Sequence, residues 1–177
     1  MPETEIIPIE QVLPNKLPII SLIGKPIFPG IFTPIMIANP PDLQVVDQVL
    51  GGDAMVGLVL VKDDSEAPSS TNLYSIGTVA KIVKRINLPD GGMNIFISTL
   101  KRFTIKKFLA KDQPIVAAVG YLDDKNDDTD EIKALTRALI SEMKQVSENN
   151  PLFSEEMRLN MINIDHPGKI EFALTIH

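Results

Sequence analysis

A chain of 177 residues with 44% hydrophobic and 23% charged residues has the composition of a soluble globular protein and the length of one or two modest domains. That length excludes a large multidomain enzyme, and the absence of cysteine removes disulfides, thiolate nucleophiles and Cys metal sites. The net charge of −6 hides an asymmetry: residues 81 to 111 hold eight cations against Asp90 alone, a local +7, so the remainder sums to −13.

The first residues, MPETEIIPIEQ, carry acids where an export signal would carry positive charge. No apolar run approaches the roughly eighteen residues that a membrane span requires, so a cytoplasmic address without membrane contact is expected. Residues 1 to 13 read as a loose, Pro-interrupted arm. From residue 14 the grammar is that of strands. LPIISLI at 17 to 23 and the run from Phe32 to Ile37 are separated by GKPIFPG, whose prolines and glycines forbid regular pairing. Asn39 then has the position of a helix N-cap before Pro40 and Asp42, and Leu43, Val46 and Leu50 are expected on its buried face.

AMVGLVLVK at 54 to 62 is continuously apolar, the pattern of a strand buried on both faces. An acidic, Ser-rich loop follows at 63 to 72, and Tyr74 to Asn87 is strand again. LPDGG at 88 to 92 is a hairpin connection, because Pro presets φ and Asp-Gly tolerates positive φ. MNIFIST, RFTIKKFLA and PIVAAVGYL read as three further strands. In RFTIKKF the apolar Phe103 and Ile105 alternate with Arg102, Thr104 and Lys106, which places the cations on a solvent face.

Composition changes at residue 123, where DDKNDDTDE precedes good helix material. Asp128 and Glu131 fit a capping box, and Ile132, Leu135, Leu139, Met143 and Val146 form the expected buried seam. Ser154 and Asp165 open two more helical segments, and the last ends in an uncapped apolar stretch that reads as a truncation. The expected fold is α+β: a twisted β-rich pseudo-barrel of about six strands with one short helix, over 14 to 122, then an acidic linker and the start of a helical bundle over 123 to 177.

Motifs for familiar chemistry are missing. There is no G-x-x-x-x-G-K-[ST], no strand-borne G-x-G-x-x-G and no G-x-S-x-G, and neither His166 nor His177 sits in H-E-x-x-H. The aspartates of 123 to 130 lack calcium-loop spacing. No catalytic, metal or cofactor residue is therefore assigned. The basic 81 to 111 stretch, with Phe96, Phe103 and Phe108, fits either a solvated strand face or a groove for a single nucleic-acid strand, and the out-of-phase aromatics favour the former. The remaining candidate is Phe28, Pro29, Ile31 and Phe32, apolar side chains in a turn, which either plug one end of the barrel or bind a partner.

The pattern Leu17-Pro18-Ile19-Ile20-x-Leu22, then Phe28-Pro29-Gly30 with Pro34 four residues on, resembles the opening of the N-terminal domain of ATP-dependent Lon proteases. Leu73 to Ile82, Leu88-Pro89-Asp90-Gly91 and Leu100 to Ile105 are similar to that family's later signatures, as is Asp165-His166-Pro167-Gly168-Lys169-Ile170. The family's usual L-P-L-R-D departs here to Ile20-Ser21-Leu22-Ile23-Gly24, with Ile23 in place of its Arg. The resemblance implies a domain that captures unfolded or damaged proteins and helps hold a hexamer, in a parent serine protease with a Ser-Lys dyad that uses ATP and magnesium. It implies no catalysis and no cofactor in this chain; nucleic acid is disfavoured as a partner by the out-of-phase aromatics. A stand-alone binding module of the same family, of the kind found in bacteria and in the ubiquitin-ligase receptor cereblon, is the alternative, and a single-stranded nucleic-acid binder is the third reading.

Overall fold

The computed structural model describes residues 13–63, 69–123, 129–148 and 150. Six strands and two helices follow in the order β1 (Lys16–Leu22), β2 (Phe32–Ile37), α1 (Pro40–Leu50), β3 (Met55–Leu60), β4 (Ile76–Asn87), β5 (Met93–Ala110), β6 (Val116–Tyr121) and α2 (Asp130–Glu148). The sheet order is β2-β5-β4-β3-β1-β6, and an additional β5–β6 pairing closes five of the strands into a ring. All pairings are antiparallel except β1 with β3, where Ile19 lies opposite Gly57 and Leu22 opposite Leu60. The fold class is therefore the β-rich, closed arrangement with helices that the sequence predicts.

Closure depends on one long strand. The two strands predicted from MNIFIST and RFTIKKFLA are a single strand of 18 residues, because no Gly or Pro stands between Thr99 and Arg102 to stop it. The N-terminal half of β5 pairs with β2, Phe32 opposite Ser98 through Ile37 opposite Met93. Its C-terminal half pairs on the same edge with β6, Phe103 opposite Tyr121 through Ala110 opposite Val116. Irregular registers between Val79 and Ala80, and between Ile105 and Lys107, bend the strand from one partner to the next.

Two cores lie on opposite faces of these strands. The first joins Ile20, Val56, Leu58, Ile82, Ile95 and Ile97 to the helix α1. The second fills the ring with Leu17, Ile19, Val59, Val79, Phe103 and Ala117. Strand β3 contributes Val56 and Leu58 to the first and Met55 and Val59 to the second, as its unbroken apolar run predicts.

Local signals hold at the α1 start. The Asn39 side chain accepts from the Asp42 amide at 2.8 Å, and its own amide donates 2.8 Å to the Asp42 carboxylate. Burial raises the Asp42 carboxyl above its ordinary value, opposed by that hydrogen bond. The buried stripe is Val45, Val46 and Val49 with Asp42, so the expected face is rotated: Leu43 is half-buried and Leu50 exposed. Both stripes satisfy the helical period, and the valines win because they are the set that meets the strands. At LPDGG the Leu88 amide donates to the Gly92 carbonyl at 2.8 Å, with Gly91 at φ 90°.

Helix α2 corrects the predicted seam. Met143 and Ser147 are buried and Ile132, Thr136 and Ile140 half-buried, whereas Leu135, Leu139 and Val146 are exposed. The covered stripe accommodates hydroxyls because Thr136 donates to the Ile132 carbonyl at 2.7 Å and Ser147 to that of Lys144 at 2.8 Å. Asp128 of the expected capping box lies outside the described residues, and the Thr129 hydroxyl instead accepts from the Ile132 amide at 3.3 Å. The two later helical segments and both histidines also lie outside them.

Candidate functional site

The turn between β1 and β2 is built around Thr99. Its backbone and hydroxyl both face the turn: the Gly30 amide donates to the Thr99 carbonyl at 3.0 Å and the Thr99 amide to the Ile31 carbonyl at 2.9 Å. The buried hydroxyl accepts from the Ile31 amide at 2.8 Å and has the Phe28 carbonyl as acceptor at 2.8 Å. Gly30 takes φ 84°, a left-handed conformation that side-chain-bearing residues rarely adopt. A turn that two prolines deprive of ladder donors is thus held by one side chain of the neighbouring strand.

This turn separates the four candidate residues. Ile31 is only 8% exposed and points into the protein, so it cannot offer its side chain to a partner. Phe28 and Pro29 are half-buried. Phe28 joins Pro26 and Ile27 in lining an apolar cleft of about 80 Å³ against Leu22, Leu58 and Leu60, with Arg102 on its wall. Phe32 is 62% exposed, and strand alternation sets it on the face opposite Ile95 and Ile97. The structure therefore brings Phe28 and Pro29 to one side of the sheet and Phe32 to the other, with Ile31 as the plug between them.

Phe32 has companions that the linear sequence does not group with it. Its ring stacks on Phe96, centroids 6.2 Å apart at 28°. Pro34 pairs with Phe96 and Met36 with Asn94, and on the far side of β5 Lys84 pairs with Phe96 and Ile86 with Asn94. Phe32, Pro34, Met36, Phe96 and Ile86 thus share one open face across three strands, and Met36 is 68% exposed. Alternation along β2 was the available signal, but its match to β5 needed the register.

The basic stretch disperses. Arg85 pairs with Asp47 of α1, and Lys101, with only 15% of its side chain exposed, pairs with Asp123 at 2.5 Å. Phe103 is fully buried and Phe108 packs against the second core. At the start of the barrel the Tyr121 hydroxyl donates 2.6 Å to the Pro14 carbonyl, and burial, with Asp53 adding negative charge, pushes its pKa up to about 12. Among the described residues no group of three or more His, Cys, Asp or Glu is placed to hold a metal, and no helix is long and apolar enough to cross a membrane.

The family model described as the ATP-dependent protease La (LON) substrate-binding domain matches residues 16–176. The chain is 57% identical over 166 residues to the Lon protease of Treponema pallidum and 41% identical over 177 residues to that of Leptospira interrogans. These alignments cover 93% and 98% of this chain but 19% and 21% of those proteins, so the chain spans about a fifth of the curated relatives it matches. In fold it is similar to the N-terminal domain of a Mycobacterium avium complex Lon protease, with TM-score 0.68 and 17% identity over 88% of this chain and 78% of that one. A Lon N-terminal domain protein from Xanthomonas campestris gives TM-score 0.58 at 20% identity, covering 91% of this chain and 98% of its own. The barrel, the Thr99-held turn and the signatures that run along both accordingly belong to a member of the ATP-dependent protease La (LON) substrate-binding domain family.

Proposed function

We propose that this chain is the recognition domain of an ATP-dependent Lon serine protease, engaging unfolded or damaged proteins for degradation in the cytoplasm. In this reading the β-rich part, 14 to 122, carries recognition. The helical part from 123 belongs to the connection with a hexameric parent, whose ATP, magnesium and peptide-bond chemistry reside elsewhere. The observation that supports it is the open apolar face on which Phe32 and Met36 are exposed beside the Phe96 ring. Such a contiguous exposed patch favours contact with apolar segments that folded proteins hide. Six copies presented together would turn weak single contacts into useful avidity. Phe28 and Pro29, at the rim of the small cleft, would supply a second contact.

Titration of a permanently unfolded, fluorescently labelled protein tests this reading. The Phe32→Ser, Met36→Ser double variant should lose about tenfold or more in affinity while keeping its melting temperature, because both side chains are already exposed. Unchanged binding by a folded double variant would remove the face from the site. A Phe28→Ser variant separates the cleft from the face.

A further inference from the structure

A second groove lies at the other end of β5, between the 69–75 loop and the C-terminal half of the strand, with a volume of about 320 Å³. It is lined by Lys62, Lys106 and Lys107 together with Ser70, Thr71 and Ser75. All three lysines are exposed, and neither ion pair formed by Arg85 or Lys101 involves them. Lys106 lies over β6: a β-carbon at Gly120 would be 2.3 Å from its Cε and 2.9 Å from its Nζ, so the side chain crosses the neighbouring strand where that residue leaves room. The loop is fastened as well. The Lys62 amide donates to the Asn72 carbonyl at 2.7 Å, the Ser69 amide to the Asn72 side chain at 2.8 Å, and the Ile105 amide to the Ser75 carbonyl at 2.8 Å. Three lysines and three hydroxyl-bearing residues therefore line one cleft whose walls are tied together, in a chain whose net charge is −6.

From this arrangement we infer that the groove binds a short acidic segment of polypeptide, with Lys62, Lys106 and Lys107 pairing its carboxylates and Ser70, Thr71 and Ser75 within reach of its backbone. A local positive cleft on an acidic protein favours a ligand that carries a few charges over a short length. A nucleic-acid strand is the less favoured occupant for two reasons. Its dense backbone charge meets the repulsion of the whole acidic chain, and base stacking needs open aromatic faces. Phe103 is buried in the core and Phe96 lies elsewhere, against Phe32, so the rings at the groove are the exposed Tyr74 and Phe108, which is half-buried against the core. The inference rests on the reading of the domain as a polypeptide binder, but it adds a site away from the Phe32 face and a charge preference that an apolar surface does not supply.

Fluorescence anisotropy with a labelled twelve-residue peptide of alternating Glu and Ser, and its Gln and Ser counterpart, tests it on the intact chain. The acidic peptide should bind at low salt and the neutral one should not. Affinity should fall about tenfold or more in a Lys62→Gln, Lys106→Gln, Lys107→Gln variant, and also between about 20 and 200 mM salt, as screening lengths shorten. A Lys106→Met, Lys107→Met variant keeps an apolar stem at both positions, that of residue 106 over Gly120, and should lose binding likewise. The Phe32→Ser, Met36→Ser double variant should bind the acidic peptide normally, so failure of the apolar-face reading is distinguishable from failure here. No binding of the acidic peptide, or binding indifferent to the lysines, overturns the inference. Tighter binding of oligo-dT or tripolyphosphate through the same lysines overturns it too, by assigning the groove to a nucleic acid or a phosphate anion.

Discussion

Phe103 and Gly77 share a single volume: a β-carbon at Gly77 would lie 2.7 Å from Cζ of the Phe103 ring, directly across the β4–β5 ladder. Gly57 does the same from β3, at 2.9 Å. The largest fully buried side chain of the ring thus fits because two facing strands carry no side chain there.

The two glycines should respond differently to alanine. At Gly77 the added carbon also meets the Leu58 carbonyl at 2.5 Å, which is backbone and cannot turn away. Gly77→Ala should cost about 3 kcal/mol or more, and Phe103→Leu in the same chain should restore only a fraction. At Gly57 the close atoms all belong to side chains, Ile19 Cδ1 at 2.7 Å and the Phe103 ring. There the loss should be about 1 to 3 kcal/mol, and Phe103→Leu should offset much of it. Urea unfolding of the four variants measures both, and equal behaviour of the two glycines would contradict the packing described.

Ile31 and Phe32 are neighbours with opposite fates, so truncation distinguishes them. Ile31→Ala should destabilise by about 2 to 4 kcal/mol, as a core deletion does. Phe32→Ala should stay within about 1 kcal/mol, since most of its ring is already in water. Thermal unfolding of the pair suffices, and a large loss at Phe32 would mean that the open face is structural.

Removal of the Thr99 hydroxyl should loosen the turn. Thr99→Val keeps the shape but leaves the buried Ile31 amide without its acceptor, a loss of about 1 to 3 kcal/mol. Hydrogen exchange at Ile31 should accelerate in step with it. Unchanged exchange would show that the backbone bonds from Gly30 and Thr99 hold the turn unaided.

Tyr121 predicts the alkaline limit. Its folded pKa of about 12 exceeds the ordinary 10.0, so the folded state keeps the proton longer. The contribution is complete below pH 10 and is lost as pH rises through 12. Tyr121→Phe should cost about 1 kcal/mol at neutral pH through the lost bond to Pro14, and should flatten the decline in stability above pH 10. Denaturant midpoints across that range provide the test.

Local chemistry was legible from residue order alone. Pro, Gly and Asn-Pro marked the turns and the start of α1, and the unbroken apolar run of β3 announced burial on both faces, because these signals act over a few residues. The helix faces were legible only in part: Val46 and Met143 are buried as expected, but Val45 and Val49 in α1 and Ser147 in α2 take the places expected for Leu50, Leu135, Leu139 and Val146, selected by what they meet in space. The same holds for the site. Sequence placed apolar residues in the Phe28 to Phe32 turn, yet only strand pairing could divide them, sinking Ile31, sending Phe28 to a cleft and joining Phe32 to Phe96, which lies more than sixty positions away. The lysines of the second groove were visible as charge, but Lys62 reaches Lys106 and Lys107 only because the 69–75 loop hydrogen-bonds both to β3's end and to β5. Sequence decides which segments extend, turn or coil. Register and closure decide which face each side chain presents, because those are long-range properties that no local pattern encodes.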